Sequence, residues 1–383
     1  MSYGKHFNII MRLNFKLLLL LFIMAVTTYA QNEQPLSLNI GDPAPLLRLR
    51  GWIKGSPIQQ FEKGTIYVVE FWATWCKPCK AAMPHLSALA AEYKDKVTIL
   101  GIDVYETKST TMEKVKAFVD SMGNGMDYLV AAEDSNFMVS NWFNASGERG
   151  IPKSFVVNAE GKVAWIGHPK DLSKVLSKIV NNTWDIKEVL DRRNLDRHLR
   201  ELDNDAIYQL TPYEGDLGKP GDLGKPEWAL LVIKEITTNE PKLKYAPLIA
   251  SYTFSSLLKT NLNEAYKYGK AAIATSTFAY EDPAYDAIIG GIKWYSNKLN
   301  LPGEIYQLGA EAYQAQINQI PYPEIIDIFK YYNNMAAWYW RAKNKLKAIE
   351  AQQKAIECLK NKKSFSATEM ALLKFRLKQY KST

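Results

Sequence analysis

Three cysteines in 383 residues are too few for the disulfide framework that staples small secreted domains. Two of them, Cys76 and Cys79, are separated by two residues, and the third, Cys358, stands alone. Half of a zinc site has the same C-x-x-C spacing, but no second pair and no H-x3-5-H follows, which argues against zinc. Blocks of one charge sign are missing too. The 48 basic and 40 acidic residues are interspersed, which describes a solvated surface and speaks against nucleic-acid binding. One apolar run stands out, residues 17–26, and it is too short to span a bilayer comfortably.

That run has the setting of a secretory signal. Lys5, Arg12 and Lys16 precede it, and Thr28-Tyr29-Ala30 supplies small residues for cleavage, which assigns residues 1–30. Cleavage would remove three basic and no acidic residues, lowering the formal charge from +8 to +5. The segment carries no cysteine to lipidate. The expected mature protein is soluble and extracytoplasmic, periplasmic or otherwise secreted, with no stable membrane span. In such a compartment a lone close pair of cysteines is expected to cycle, not to staple.

The pair lies where a strand pattern gives way to a helical one. Ile66-Tyr67-Val68-Val69-Glu70-Phe71-Trp72 is rich in β-branched and aromatic residues, and a helical pattern runs from about Cys76 to Tyr93. Cys76 then sits at a helix N-terminus, where unsatisfied N–H groups and the helix dipole stabilise a thiolate, the form that attacks disulfides. Cys76 is the expected nucleophile, and Cys79, one turn deeper, resolves the mixed disulfide. Lys77 adds positive charge, and Pro78 has no N–H to lose in a first turn. Such exchange calls for no cofactor. Further on come a strand (97–104), a helix (111–122), two strands (154–158 and 162–167) and a helix with Leu172, Val175, Leu176 and Ile179 on one face. The order βαβαββα predicts a mixed sheet flanked by helices, with the cysteines at the C-terminal end of a parallel strand.

Residues 38–180 resemble the thioredoxin superfamily, and within it the TlpA-like and ResA-like extracytoplasmic thiol-disulfide oxidoreductases. The resemblance rests on Phe71-Trp72-Ala73-Thr74-Trp75-Cys76-Lys77-Pro78-Cys79-Lys80, on Pro84 within the following helix, on Gly150-Ile151-Pro152 before a strand, and on Gly41-Asp42-Pro43-Ala44-Pro45 upstream. It implies a cis proline at Pro152, with Ile151 offering main-chain hydrogen bonds to an extended substrate. Trp75, with Trp72, would form an apolar docking rim. It also offers two proton acceptors for Cys79. Glu70 occupies the place, six residues before the first cysteine, where thioredoxins carry a buried acid; Glu106 resembles an acid that ResA-like proteins place near the site. Position within the motif favours Glu70, and burial of either would raise its pKa. The P-x-x-x-T-x-x-C arrangement of peroxiredoxins is missing from the sequence. His85 is expected to cap or pack, and His168 reads as a turn residue.

A chain of this length predicts a second core. Residues 181–226 read as a charged helix and a linker ending in the tandem hexapeptides Gly215-Asp216-Leu217-Gly218-Lys219-Pro220 and Gly221-Asp222-Leu223-Gly224-Lys225-Pro226. Residues 227–383 are helical throughout, with three helix pairs near 245–276, 283–317 and 323–361. Ala336, Tyr339, Ala348 and Ala355 resemble the tetratricopeptide signature, but the turns recur about every 40 residues, longer than the ~34 of that repeat. A divergent helical-hairpin solenoid or bundle is expected, with Cys358 as a small buried hydrophobe within it. The whole reads as an α/β thioredoxin-like domain over 31–180 followed by an all-α domain. Its expected partners are protein dithiols or disulfides, an upstream thiol electron donor, and a protein held by the helical part. Reduction of protein disulfides is the favoured direction. Oxidation or isomerisation, and a helical binding protein regulated by its redox pair, are the alternatives.

Overall fold

The computed structural model describes residues 37–215, 224–275, 284–320, 327–362 and 365–382; the expected signal and most of the hexapeptide repeat lie outside them. The N-terminal domain is a six-stranded mixed sheet with helices on both faces. Its strands are β1 (Leu49–Lys54), β2 (Ile66–Trp72), β3 (Val97–Asp103), β4 (Leu129–Glu133), β5 (Lys153–Val157) and β6 (Val163–Gly167), in the order β1-β4-β3-β2-β5-β6. β2 runs parallel to β3, and β3 to β4; the pairs β1/β4, β2/β5 and β5/β6 are antiparallel. Gly41-Asp42-Pro43-Ala44 lines the outer edge of β6 through backbone bonds from Gly41 to Val163 and from Ala44 to Gly161.

Strands β1 and β4 are absent from the pattern read in the sequence. β4 (Leu-Val-Ala-Ala-Glu) is short and alanine-rich, and β1 mixes charge with glycine, so neither carries a strand signal of its own. Pairing with β3 and with each other supplies what local propensity lacks.

Alternation along β2 divides the core. Val69, Phe71 and Tyr67 pack with Leu100, Trp142, Phe143 and Phe155 on one face. Ile66, Val68 and Trp72 face the other way, against α1 (Lys77–Glu92), α2 (Met112–Met122) and α3 (Leu172–Val180). That second face carries both cysteines.

α4 (Ile186–Leu210) is one unbroken helix whose two ends belong to different cores. Ile186 and Val189 pack on the sheet domain, while Leu199, Ala206 and Leu210 join α5 (Pro226–Asn239) and the start of α6 (Pro247–Thr260). The charged helix expected here thus runs on to Leu210 and packs against both cores, while most of the hexapeptide linker lies outside the described residues. Beyond α6 follow α7 (Leu262–Thr275), α8 (Ala284–Tyr295), α9 (Gly303–Gln319), α10 (Ile328–Arg341), α11 (Lys345–Lys360) and α12 (Ala367–Ser382). Their shared core includes Phe254, Ile288, Ile292, Ile305, Tyr313 and Trp338. Gly309 admits the Trp338 ring, since a Cβ there would lie 2.4 Å from it. Cys358 is half-buried beside Phe329 and Ile356, and burial, followed by the Glu357 charge, pushes its thiol up. No helix of the described residues is long and apolar enough to cross a membrane.

Candidate active site

Cys76 and Cys79 are joined in a disulfide, with an S–S distance of 2.08 Å. Cys76 caps α1: its backbone is extended, and its sulfur accepts the Cys79 N–H at 3.2 Å. The same N–H would stabilise a thiolate once the bond is reduced. Lys77 and Pro78 occupy the first turn and are exposed, Pro78 costing no hydrogen bond there. Cys76 is 3% exposed and Cys79 fully buried, so a partner meets the first sulfur before the second.

Two flanking segments define the approach. Trp75 is 53% exposed, and its indole N–H donates to the Tyr105 carbonyl at 3.0 Å, which fixes the ring over the loop after β3. Trp72 is instead wholly buried and stacked on Phe118, so of the two tryptophans only Trp75 stands at the surface. The Ile151–Pro152 peptide bond is cis, and the Ile151 carbonyl lies 3.9 Å from the Cys76 sulfur. Lys153, next in sequence, pairs with Glu148 at 2.7 Å, and Glu148 in turn pairs with Arg193 of α4 at 2.7 Å.

The two candidate acids are held very differently. Glu70 is fully buried on the α1 side of β2, and desolvation pushes its pKa from 4.5 up to about 8. Glu106 is half-buried and accepts the Thr74 N–H at 2.5 Å, so it grips the backbone two residues before the nucleophile. Beside it is an acid that the sequence reading did not single out. Asp103, at the end of β3, is pushed up to about 8 by burial first, then by the Glu106 charge and a hydrogen bond with Glu106, and last by Glu133. Carrying the alternation of β3 to its last residue would have placed Asp103 on the cysteine face.

The two histidines stand away from the sulfurs' hydrogen bonds. His85 meets Ser173 at 3.3 Å, and burial lowers its pKa. His168 caps a short turn, its Nδ1 accepting the Lys170 N–H. Among the described residues no group of His, Cys, Asp and Glu is arranged to hold a metal ion.

The AhpC/TSA family model matches residues 40–166. Protein FixW of Rhizobium leguminosarum is 34% identical over 154 residues, covering 39% of this chain and 69% of FixW. The thiol-disulfide oxidoreductase ResA of Bacillus anthracis is 31% identical over 161 residues, 40% of this chain and 85% of ResA. The thiol:disulfide interchange protein DsbE of Pasteurella multocida is 32% identical over 165 residues, 42% of this chain and 84% of DsbE.

Proposed function

This chain belongs to the thioredoxin-like thiol-disulfide oxidoreductases, and on that premise we propose that it reduces disulfides of extracytoplasmic proteins through the Cys76–Cys79 dithiol. The observation that carries the reading is the closed pair at a helix N-terminus, one sulfur at the surface edge and the other behind it. The Cys76 thiolate attacks a substrate disulfide and expels one substrate thiolate, forming a mixed disulfide. Cys79 gives its proton to the ionised form of Glu70 and attacks the Cys76 sulfur, releasing the second substrate sulfur as a thiolate. Two electrons have passed to the substrate, and the pair is left as the disulfide seen here. An upstream thiol donor returns two electrons to reopen it.

Trp75, Lys77 and Pro78 form the rim that a substrate meets, and the Ile151 carbonyl beside Cys76 suits pairing with an extended substrate strand before Pro152. Glu70 suits the proton step because a carboxyl with a pKa near 8 is poised to exchange protons close to neutrality. Glu106 supports the site by holding Thr74. The secretory pattern of residues 1–30 supports a periplasmic or otherwise extracytoplasmic setting. The helical domain, with its tetratricopeptide-like spacings, would hold a protein partner near the redox site.

Direction is the testable part. The protein lacking residues 1–30 is equilibrated in defined thiol-disulfide buffers, alkylated, and read by peptide mass at Cys76 and Cys79. A midpoint near about −270 mV is expected for a reductase; one near about −120 mV would make the protein an oxidant. A pair that never closes would overturn the redox reading.

A further inference from the structure

In the helical domain α8 and α10 both pack on α9 but make little contact with each other, so α9 floors a groove between them. The groove has a volume of about 350 Å³, within the range of ligand sites. α8 lines it with a stripe one and two turns long, Asp286, Gly290 and Lys293. At Gly290 an added Cβ would meet nothing within 4 Å, so the wall is open there. Tyr313 of α9 and Tyr331 of α10 meet edge to face, with centroids 6.4 Å apart, and give the groove an aromatic base.

Its polar side chains fall into two groups. Asp286 accepts the Gln316 side-chain N–H at 2.7 Å, and Lys330 pairs with Asp327 at 2.7 Å. Lys293 and Asn334 line the same groove, yet their side chains make no hydrogen bond or ion pair among the described residues. The Lys293 ammonium lies instead over the Tyr313 ring, 5.5 Å from its centroid. An ammonium and a carboxamide with unused donors, above an aromatic base, suit a carboxylate. Asp286 in the same groove disfavours a doubly charged phosphate.

The shape of the groove narrows the choice further. Asp286, Gly290, Lys293 and Lys330 are all exposed, a rim too open to bury a free small acid, whereas ligand sites cover about 70–90% of what they hold. A peptide needs no such cover, because its main chain continues along the rim. Asp286 and Lys293 stand about 10 Å apart along α8, the length of about three extended residues. We propose that the groove takes a short extended segment of a partner protein, and that Lys293 and Asn334 hold an acidic side chain on it. This rests on the reading of the helical domain as the holder of a protein partner, and it gives that partner its chemistry.

The probes are three mixtures of fluorescein-labelled heptapeptides, random except for a central Glu, Gln or Lys, titrated with the protein lacking residues 1–30 and followed by anisotropy. The Glu mixture is expected to bind about tenfold more tightly than the Gln mixture, and the Lys mixture more weakly than either. Lys293→Met keeps most of the stem, removes the charge, and should bring the Glu mixture down to the Gln level. Gly290→Leu puts a side chain into the open wall of the groove and should abolish binding of all three; leucine also favours a helix more than glycine does, so the fold tolerates it. A preference for Glu that survives in either variant places the acid elsewhere and overturns the proposal. Equal binding of the three mixtures, lost in Gly290→Leu, overturns the acidic partner and leaves the helical domain as a holder of peptides. No binding by any mixture overturns both.

Discussion

Burial gives Glu70 a pKa of about 8 in the folded protein, against 4.5 unperturbed, so folding retains a proton that the unfolded chain releases between those values. The sign follows directly. Stability is undiminished below about pH 4.5 and falls as pH rises towards 8, because only the unfolded state gains from ionisation. Glu70→Gln removes the dependence, and oxidised variant should exceed wild type by more at pH 8 than at pH 5, with the difference on the order of 3–5 kcal/mol. Urea unfolding of both proteins at both pH values measures it, and equal differences would contradict the assignment. Glu70 was legible in sequence because its offset from Cys76 is fixed along one strand and one turn. Asp103 was not, since what matters about it is which side chains strand pairing sets beside it.

Among the elements, the segment from Ser146 to Lys153 is the joint between strand and helix. Arg193 of α4 donates to the Ser146 carbonyl at 2.9 Å and pairs with Glu148, whose other oxygen meets Lys153. All three charged side chains are at most 16% exposed. Glu148→Gln would take a shared carboxylate from two buried cations, a loss of about 3–5 kcal/mol. Denaturant midpoints should show it, together with faster amide exchange in the first half of α4; unchanged exchange there would mean that apolar contacts alone hold the helix. None of this is visible in the charged run from which α4 was read, because its partners lie some 45 residues away in sequence. The helices after α5 were easier, since their apolar spacing and the turns at Asn261, Pro302 and Asn344 are local signals. β4 shows the opposite case, a strand made by its neighbours.

At the scale of the whole molecule, α4 is fastened at both ends. Near its start Arg193 grips the loop before β5, and further along the Asp203 carboxylate accepts the N–H groups of Leu248 and Ile249, both at 2.9 Å, capping α6. The two cores should therefore tumble as one body. Backbone 15N relaxation should return one rotational correlation time for residues of both, and two distinct values would refute it. The same fastening gives the molecule a load path. A pull on the helical array reaches Arg193 through a single stiff rod, and Arg193 bears on the loop that holds the Ile151 carbonyl 3.9 Å from the Cys76 sulfur. A displacement of the helical array would therefore be passed along α4 to the loop beside the reactive sulfur.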